Sequence, residues 1–462
     1  MMFTAFSRMR VGIGVVIGLT AGFSYSVGAP ELEKPNVIVI MSDDQGSLDL
    51  GVYGAKDLHT PHLDALAHRG VMFTQFYTGS AVCSPSRASL LTGKTPQGAG
   101  LETNAGAHKG RVGLPPEQVT MAEMLGEVGY STAHVGKWHL GNEAPRRPDD
   151  QGFDYSFGHY VGCIDNYSHF FYWVPPNRHD LWENGEEVFE NVKYFPGLMV
   201  ERARRFIAAK RDEPFFMYFA LNLPHYPLQG LQKWHEYYDH LPMPRRDYAA
   251  TVSTIDEQIG HLLAELEAYD ELDNTIIVFL SDHGHSHEER TFGGGGWAGE
   301  MRGSKFGFFE AGVRVPAMIA GPGVPSGVVV ESAAMQMDLF PTIAELVGVN
   351  RLPEGVEGTS LVPMFTRDEP SRDTMHWRIN QHWAVRKRDW KLQVNPRDDS
   401  KLSPLDPVTD KVFLSNIAMD LSEKENLANK YPKKVRELIE VHRRWQHFQS
   451  KDLVELPARW RP

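Results

Sequence analysis

Four nearly unbroken apolar runs stand out along the chain, at residues 37–41, 131–135, 215–221 and 275–280. Such runs fit strands covered on both faces, as in a parallel sheet packed between helices. Helical patterns lie between them. Thr60-Pro61 opens one helix with proline in its first turn, and Gly70 closes it. Thr120 and Glu123 have the spacing of a capping box. Residues 248–269 place Val252, Ile255, Ile259, Leu262, Leu263 and Leu266 on one stripe. Strand and helix alternate, which predicts an α/β sandwich around a large, mostly parallel sheet. Beyond about residue 365 the pattern changes. Residues 384–394 read as a pair of strands and residues 431–448 as a basic amphipathic helix, together a small α+β subdomain. The run Gly293-Gly294-Gly295-Gly296 reads as a flexible loop, without the strand-to-helix setting of a phosphate-binding fingerprint.

Composition narrows this picture. A chain of 462 residues, 42% hydrophobic, suits one large and one smaller domain. Arg8 and Arg10, an apolar stretch at 11–21 and the small residues Ser24, Ser26 and Gly28 read as a secretory signal cleaved near residues 26–29. The expected organisation is a signal peptide at 1–29, a main domain at 30–364 and a C-terminal subdomain at 365–462. No later stretch is apolar and long enough to predict a membrane span, so an exported protein, periplasmic or secreted, is expected. The net charge of −12 lacks the basic footprint of a nucleic-acid binder. Removing the leader takes away two arginines and no acid. An anionic ligand must therefore be met by local positive charge. Cys83 and Cys163 are the only cysteines, too few for a disulfide framework.

Ligands of open α/β sheets bind beyond the carboxyl ends of the strands. The residues that follow each apolar run are therefore informative. They are Ser42-Asp43-Asp44, Gly136-Lys137-Trp138-His139, Asn222-Leu223-Pro224-His225 and Ser281-Asp282-His283-Gly284. Asp43, Asp44 and Asp282 gathered at one edge would repel unless a cation sat between them. Oxygen ligands favour calcium or magnesium, and His283 leaves room for manganese or zinc. In Cys83-Ser84-Pro85-Ser86-Arg87, Ser84 can cap a helix whose first residue is Pro85. Residue 83 then lies at a helix N-terminus, which favours a thiolate or a bound anion. Arg87 adds charge one turn in, and Lys137 and Lys305 add more if the fold gathers them. These features describe an anion site with a potential nucleophile beside a metal.

Cys83-Ser84-Pro85-Ser86-Arg87 resembles the Cys-x-Pro-x-Arg signature of formylglycine-dependent sulfatases. The resemblance runs from Pro35 to about Leu427, through Ser89-Leu90-Leu91-Thr92-Gly93, Gly136-Lys137-Trp138-His139-Leu140-Gly141, Pro224-His225, Ser281-Asp282-His283-Gly284 and Gly303-Ser304-Lys305. It implies an alkaline-phosphatase-like fold with a smaller C-terminal subdomain. It implies that a formylglycine-generating or maturase enzyme oxidises Cys83 to formylglycine. It also implies a Ca2+ held by Asp43, Asp44, Asp282, His283 and residue 83. Many members have asparagine where His283 stands, which bears on metal preference. The implied mechanism is attack on sulfur by one hydroxyl of the hydrated aldehyde. Asp282 assists the attack and Arg87 holds the diol. Lys137, Lys305 and His225 balance sulfuryl charge, His225 or Lys305 protonates the departing alcohol, and His139 takes the second proton. The expected substrate is a sulfated carbohydrate. The alternatives are a phosphate or phosphonate monoester hydrolase on the same scaffold, and a non-catalytic glycan-binding protein. His159, His169, Tyr172, Trp173, His179, His287, Trp297 and His382 fall outside the motifs and are candidates for a sugar pocket or for packing. Cys163 matches no motif and is read as structural.

Overall fold

The apolar runs form the middle of one large sheet. The computed structural model describes residues 34–106, 112–400, 404–449 and 460, so the leader assigned to residues 1–29 lies outside the described residues. In chain order the strands are β1 (Asn36–Asp43), β2 (Gly70–Tyr77), β3 (Ser131–Lys137), β4 (Tyr155–His159) and the short β5 (Phe170–Phe171), β6 (Arg178–His179), β7 (Trp182–Glu183) and β8 (Glu186–Glu187). They continue with β9 (Phe215–Pro224), β10 (Thr275–Ser281), β11 (Arg314–Ala320), β12 (Val328–Val330) and β13 (Ala334–Met335). The sheet order is β12-β2-β11-β10-β1-β9-β3-β4-β7-β8, with β13 also on β2. β10, β1, β9, β3 and β4 pair in parallel. Only β11 and β7 oppose the common direction. β5 and β6 form a separate ribbon.

Side chains alternate between faces along each strand. Val37, Val39 and Met41 therefore join Phe216, Tyr218, Ile276 and Val278 in one core, while Ile38 and Ile40 join Met217, Phe219, Ile277 and Phe279 in the other. Helices α2 (Cys83–Thr92), α3 (Met121–Gly126), α8 (Leu339–Leu346) and α9 (Val362–Arg367) cover the first face. Helices α1 (Pro61–His68), α4 (Phe195–Lys210) and α6 (Arg245–Ala268) cover the second. The short α5 (Gln232–Tyr237) and α7 (Glu310–Val313) lie in connections. Both faces are thus buried, which is why the central strands carry no polar alternation. Thr120 and Glu123 form the reciprocal capping box of α3. The helix predicted over 248–269 begins three residues earlier, at Arg245. Gly70 opens β2, and α1 ends at His68.

A second sheet, fully antiparallel, is made of β14 (Thr374–Ile379), β15 (His382–Lys387), β16 (Trp390–Val394) and β17 (Val412–Asn416). Helix α10 (Pro432–Phe448) lays Val435, Leu438 and Ile439 on its apolar face. Trp377 Nε1 donates to the Thr78 carbonyl at 2.7 Å and ties this sheet to the large one. Among the described residues no helix is long and apolar enough to cross a membrane.

Candidate active site

The carboxyl ends of four adjacent parallel strands assemble the site. β1 ends on Asp43, and Asp44 turns the chain away with a φ of 62°, a conformation that aspartate tolerates better than most residues. β3 runs on to Lys137, beyond the predicted end at 135. β9 runs on to Pro224, which delivers His225 to the same edge. β10 ends on Ser281, followed by Asp282 and His283. In register, Ser42 faces Ser281 and Asp43 faces Pro224. Gly136 is required before Lys137. Its φ is +121°, and a Cβ there would lie 2.0 Å from the Ala220 carbonyl oxygen.

Cys83 is the first residue of α2, not a residue preceding it, and Ser84 does not cap the helix. Val82 is already extended and takes the capping position without a side-chain bond. The Ser84 hydroxyl is drawn elsewhere. It donates to the His139 carbonyl at 2.5 Å and accepts from the Ala105 amide at 3.0 Å. Tertiary bonding overrides the local preference of serine for a cap. Residue 83 still faces the positive end of the helix, where anions are stabilised.

The buried side chains interlock. Cys83 Sγ lies 3.3 Å from His283 Nε2 and 3.9 Å from Asp43 Oδ1. Lys137 Nζ donates to Asp43 at 2.6 Å, and Lys305 Nζ donates to both Asp44 oxygens at 2.9 Å. The Arg87 guanidinium donates to Asp282 at 3.1 Å and to the Lys137 carbonyl at 3.1 Å, and lies 3.4 Å from Asp43. His283 Nε2 is 3.4 Å from Asp44 and 3.6 Å from Asp282, and His225 Nε2 is 3.8 Å from Asp44. The Nδ1 atoms of His283 and His225 contact the carbonyls of Gly284 and Tyr226 at 2.9 and 2.8 Å. A carbonyl only accepts, so Nδ1 carries a proton in both rings, and Nε2 faces the carboxylates.

Burial and charge set the protonation states. Burial raises the Cys83 thiol, but Lys137 and Lys305 outweigh it and bring its pKa to about 6. Burial raises Asp44 to about 7 against the pull of Lys305 and His283. Burial likewise raises Asp282 to about 6 against His283. Asp43 goes the other way. Its burial is overcome by Lys137 and Arg87, and its carboxyl sits well below the usual range. His139 and His225 are held neutral by burial and by the lysines beside them.

Burial first, and the repulsion from Asp43 after it, raise Asp44 and Asp282, and a cation between the three carboxylates would relieve both. The donor atoms of Asp43, Cys83, Asp282 and His283 lie within 4.8 Å of one another, as do those of Asp43, Asp44, Cys83 and His225. The two groups share Asp43 and Cys83, and each pairs carboxylates with an imidazole, donors that suit a divalent cation preferring oxygen. The residues present therefore fit the Ca2+ expected from sequence.

A cavity of about 230 Å³ opens over Cys83, lined also by Asn104, His139, Cys163, Trp173, His225 and Tyr226. Among the described residues His139 Nδ1 has no hydrogen-bond partner. The cavity contains no other candidate sugar residue than Trp173. His287 lines an adjoining outer cavity. Trp297 lines a different, mostly apolar depression with Arg245 and Gly293. His159 and His169 are buried and bonded to the carbonyls of Val161 and Lys193. His179 pairs with Glu187, and His382 with the Asn395 carbonyl. Tyr172 packs against Trp173. Both cysteines are free, and Cys163, read as structural, is buried in the cavity wall. Asn104, Tyr226, Glu288, Arg290 and Phe306 escaped the sequence reading although they line the same cavity. Tyr226 follows His225 directly and was within reach of the strand-end argument. Asn104, Glu288 and Phe306 lie on loops without periodicity, and Arg290 on a single 3-10 turn at residues 289–291.

Residues 35–349 match the family described as Sulfatase. The N-acetylgalactosamine-6-O-sulfatase of Bacteroides thetaiotaomicron is 30% identical over 502 aligned positions, covering 88% of this chain and 92% of that protein. Arylsulfatase J of Mus musculus is 30% identical, covering 94% of this chain and 78% of that protein. Among solved structures, Ps i-CgsB in complex with k-i-k-neocarrahexaose is similar with a TM-score of 0.78 and 29% identity, covering 89% of this chain and 93% of the other.

Proposed function

The chain belongs to the sulfatase family, is a sulfuric ester hydrolase with the alkaline-phosphatase-like fold, and on that premise we propose that it removes sulfate from a sulfated carbohydrate outside the cytoplasm. One observation carries the proposal. Cys83, at the head of α2, lies within a ring of Asp43, Asp44, Asp282 and His283, itself ringed by Arg87, Lys137 and Lys305. The carbohydrate assignment draws on the relative named for N-acetylgalactosamine 6-O-sulfate chemistry and on the structural relative that holds a neocarrahexaose. The export assignment draws on the leader-like first 29 residues.

In this reading Cys83 is converted to formylglycine by a maturase, and Asp43, Asp44, Asp282, His283 and residue 83 hold a Ca2+. When bound, the cation neutralises sulfate charge and acidifies an oxygen nucleophile. The aldehyde, when hydrated, supplies that oxygen and a second hydroxyl, which neither cysteine nor serine has. The remaining roles belong to the chain. Arg87, fixed by Asp282 and the Lys137 carbonyl, orients the side chain at 83. Lys137 and Lys305 face the sulfuryl oxygens and offset charge that grows in the transition state. Lys305 keeps its proton at Nζ despite burial, because Asp44 stands against it, and delivers it toward the leaving alcohol. His225, with Nδ1–H tied to Tyr226, presents Nε2 on the same side. His139 is neutral, lines the cavity and keeps a ring nitrogen free to accept a proton.

Parallel rates on an aryl sulfate and the matching aryl phosphate test this reading, using protein made with a maturase present. The sulfate ester is expected to turn over with the higher kcat/KM. A clear preference for the phosphate ester would contradict it.

A further inference from the structure

Two cavities meet at Lys305. The inner one, about 230 Å³, holds Cys83 and the histidines. That is below the roughly 300 Å³ at which pockets for drug-sized ligands begin, and suits one sulfate with the sugar that carries it. The outer cavity, about 560 Å³, shares Glu288, Arg290, Lys305 and Phe306 with the inner one. A longer saccharide would pass from one to the other along this shared wall.

Arg290 has no place in the chemistry above, yet it is held with care. Its guanidinium carbon lies 4.6 Å from the centre of the Trp173 ring and 5.0 Å from that of Tyr226. One edge pairs with Glu288 at 2.8 Å, its one ion-pair partner among the described residues, and 40% of the side chain is exposed. Two rings set at 70° to each other and one carboxylate hold the guanidinium in place, and 40% of the side chain stays open to a ligand. Glu288 does not cancel this charge, because its other oxygen lies 3.7 Å from Lys305 Nζ and so serves two cations. Of the other acids of the outer cavity, Asp398 pairs with Arg302 and Asp399 with Arg397, while Glu289 has no ion pair among the described residues. A planar guanidinium matches an oxyanion in two-point geometry, and lysine does not reproduce that match.

We propose that Arg290 is a specificity-determining residue that reads a second oxyanion, a carboxylate or a second sulfate, on the saccharide beside the sulfate being cleaved. Trp173 supports the guanidinium and offers the apolar edge of its ring to the sugar. The inference rests on the carbohydrate reading of the substrate. It narrows that class to saccharides with two acidic groups within reach of the inner cavity.

The test uses three disaccharides with the same scissile sulfate. One carries a uronate carboxylate, one a second sulfate, and one neither. Wild type, Arg290→Met and Arg290→Lys are compared by sulfate release, with Tm confirming that each is folded. Wild type is expected to prefer at least one doubly anionic substrate by about tenfold or more in kcat/KM. Arg290→Met is expected to remove most of that preference through KM, with kcat moving much less, and Arg290→Lys to restore part of it. The substrate whose preference vanishes identifies carboxylate or sulfate as the group read. Equal losses on all three disaccharides, or no preference in wild type, would overturn the proposal while leaving the carbohydrate reading in place. Turnover of an aryl sulfate with none of the three cleaved would overturn the carbohydrate reading itself, and the role of Arg290 with it.

Discussion

At the scale of single residues, the site depends on groups that cannot be exchanged for near relatives. Cys83→Ala removes the side chain from which the nucleophile is made and leaves its neighbours in place. We expect that variant to keep its circular dichroism spectrum and lose sulfate release. Full activity would remove residue 83 from the mechanism. Arg87 makes a different demand. It is fully buried, and its fork reaches Asp282, Asp43 and the Lys137 carbonyl together. Lysine keeps the charge but has one short head, and cannot span these partners. Arg87→Lys should lower kcat by about 100-fold through misplacement of residue 83, with a smaller change in KM. Many of these residues were legible in sequence for one reason: an apolar run marks a strand, and the polar residues after it mark the strand's end. Arg290 and Phe306 offered no such mark. Arg290 reaches the cavity from a single 3-10 turn and Phe306 from a loop, neither long enough to show a period.

Elements were legible to the extent that their burial is periodic. The central strands announced themselves because both faces are covered, and α6 and α10 because one stripe is. The start of α2 was misread because the Ser84 hydroxyl bonds to the His139 carbonyl, a partner 55 residues away. The join between the two sheets was also invisible, since it brings together residues distant in sequence, an apolar cluster of Tyr77, Met335, Met375, Trp377 and Ala384 and a buried polar one beside it. Lys391 of β16 bonds Glu310 of α7 at 3.0 Å and lies 3.4 Å from Glu423, all three buried. Lys391→Met would leave two buried carboxylates without their shared cation, and should lower stability by about 3–5 kcal/mol in denaturant titration. The same cluster predicts a pH dependence. Burial raises Glu310, but Lys391, Arg386 and Arg314 outweigh it and hold its pKa at about 2. A carboxyl depressed in the folded state stabilises it above its unfolded value, near 4.3 by reference peptides. That stability is lost as pH falls from about 4.3 toward about 2. Glu423 is raised by burial and works in the opposite sense. The loss of unfolding free energy over that range should be smaller in Glu310→Gln. An identical acid profile would assign the loss to other groups.

At the scale of the whole molecule, the parallel centre of the sheet delivers acids from β1 and β10 and bases from β3 and β9 to one edge. Gathering Asp43, Asp44 and Asp282 there strains the protein unless a cation shares the site. Removing divalent metal by chelation should abolish activity and lower Tm, and calcium should restore both more fully than magnesium. Unchanged Tm and rate in protein shown metal-free by elemental analysis would mean that Lys137, Lys305 and Arg87 suffice to balance the acids. The central claim is sulfate removal from a carbohydrate, and the most direct measurement is free sulfate released from a panel of sulfated oligosaccharides beside an aryl sulfate. The account predicts that at least one oligosaccharide is desulfated with a higher kcat/KM than the aryl ester. Release from the aryl sulfate alone, across a panel varied in sugar and sulfate position, would contradict it.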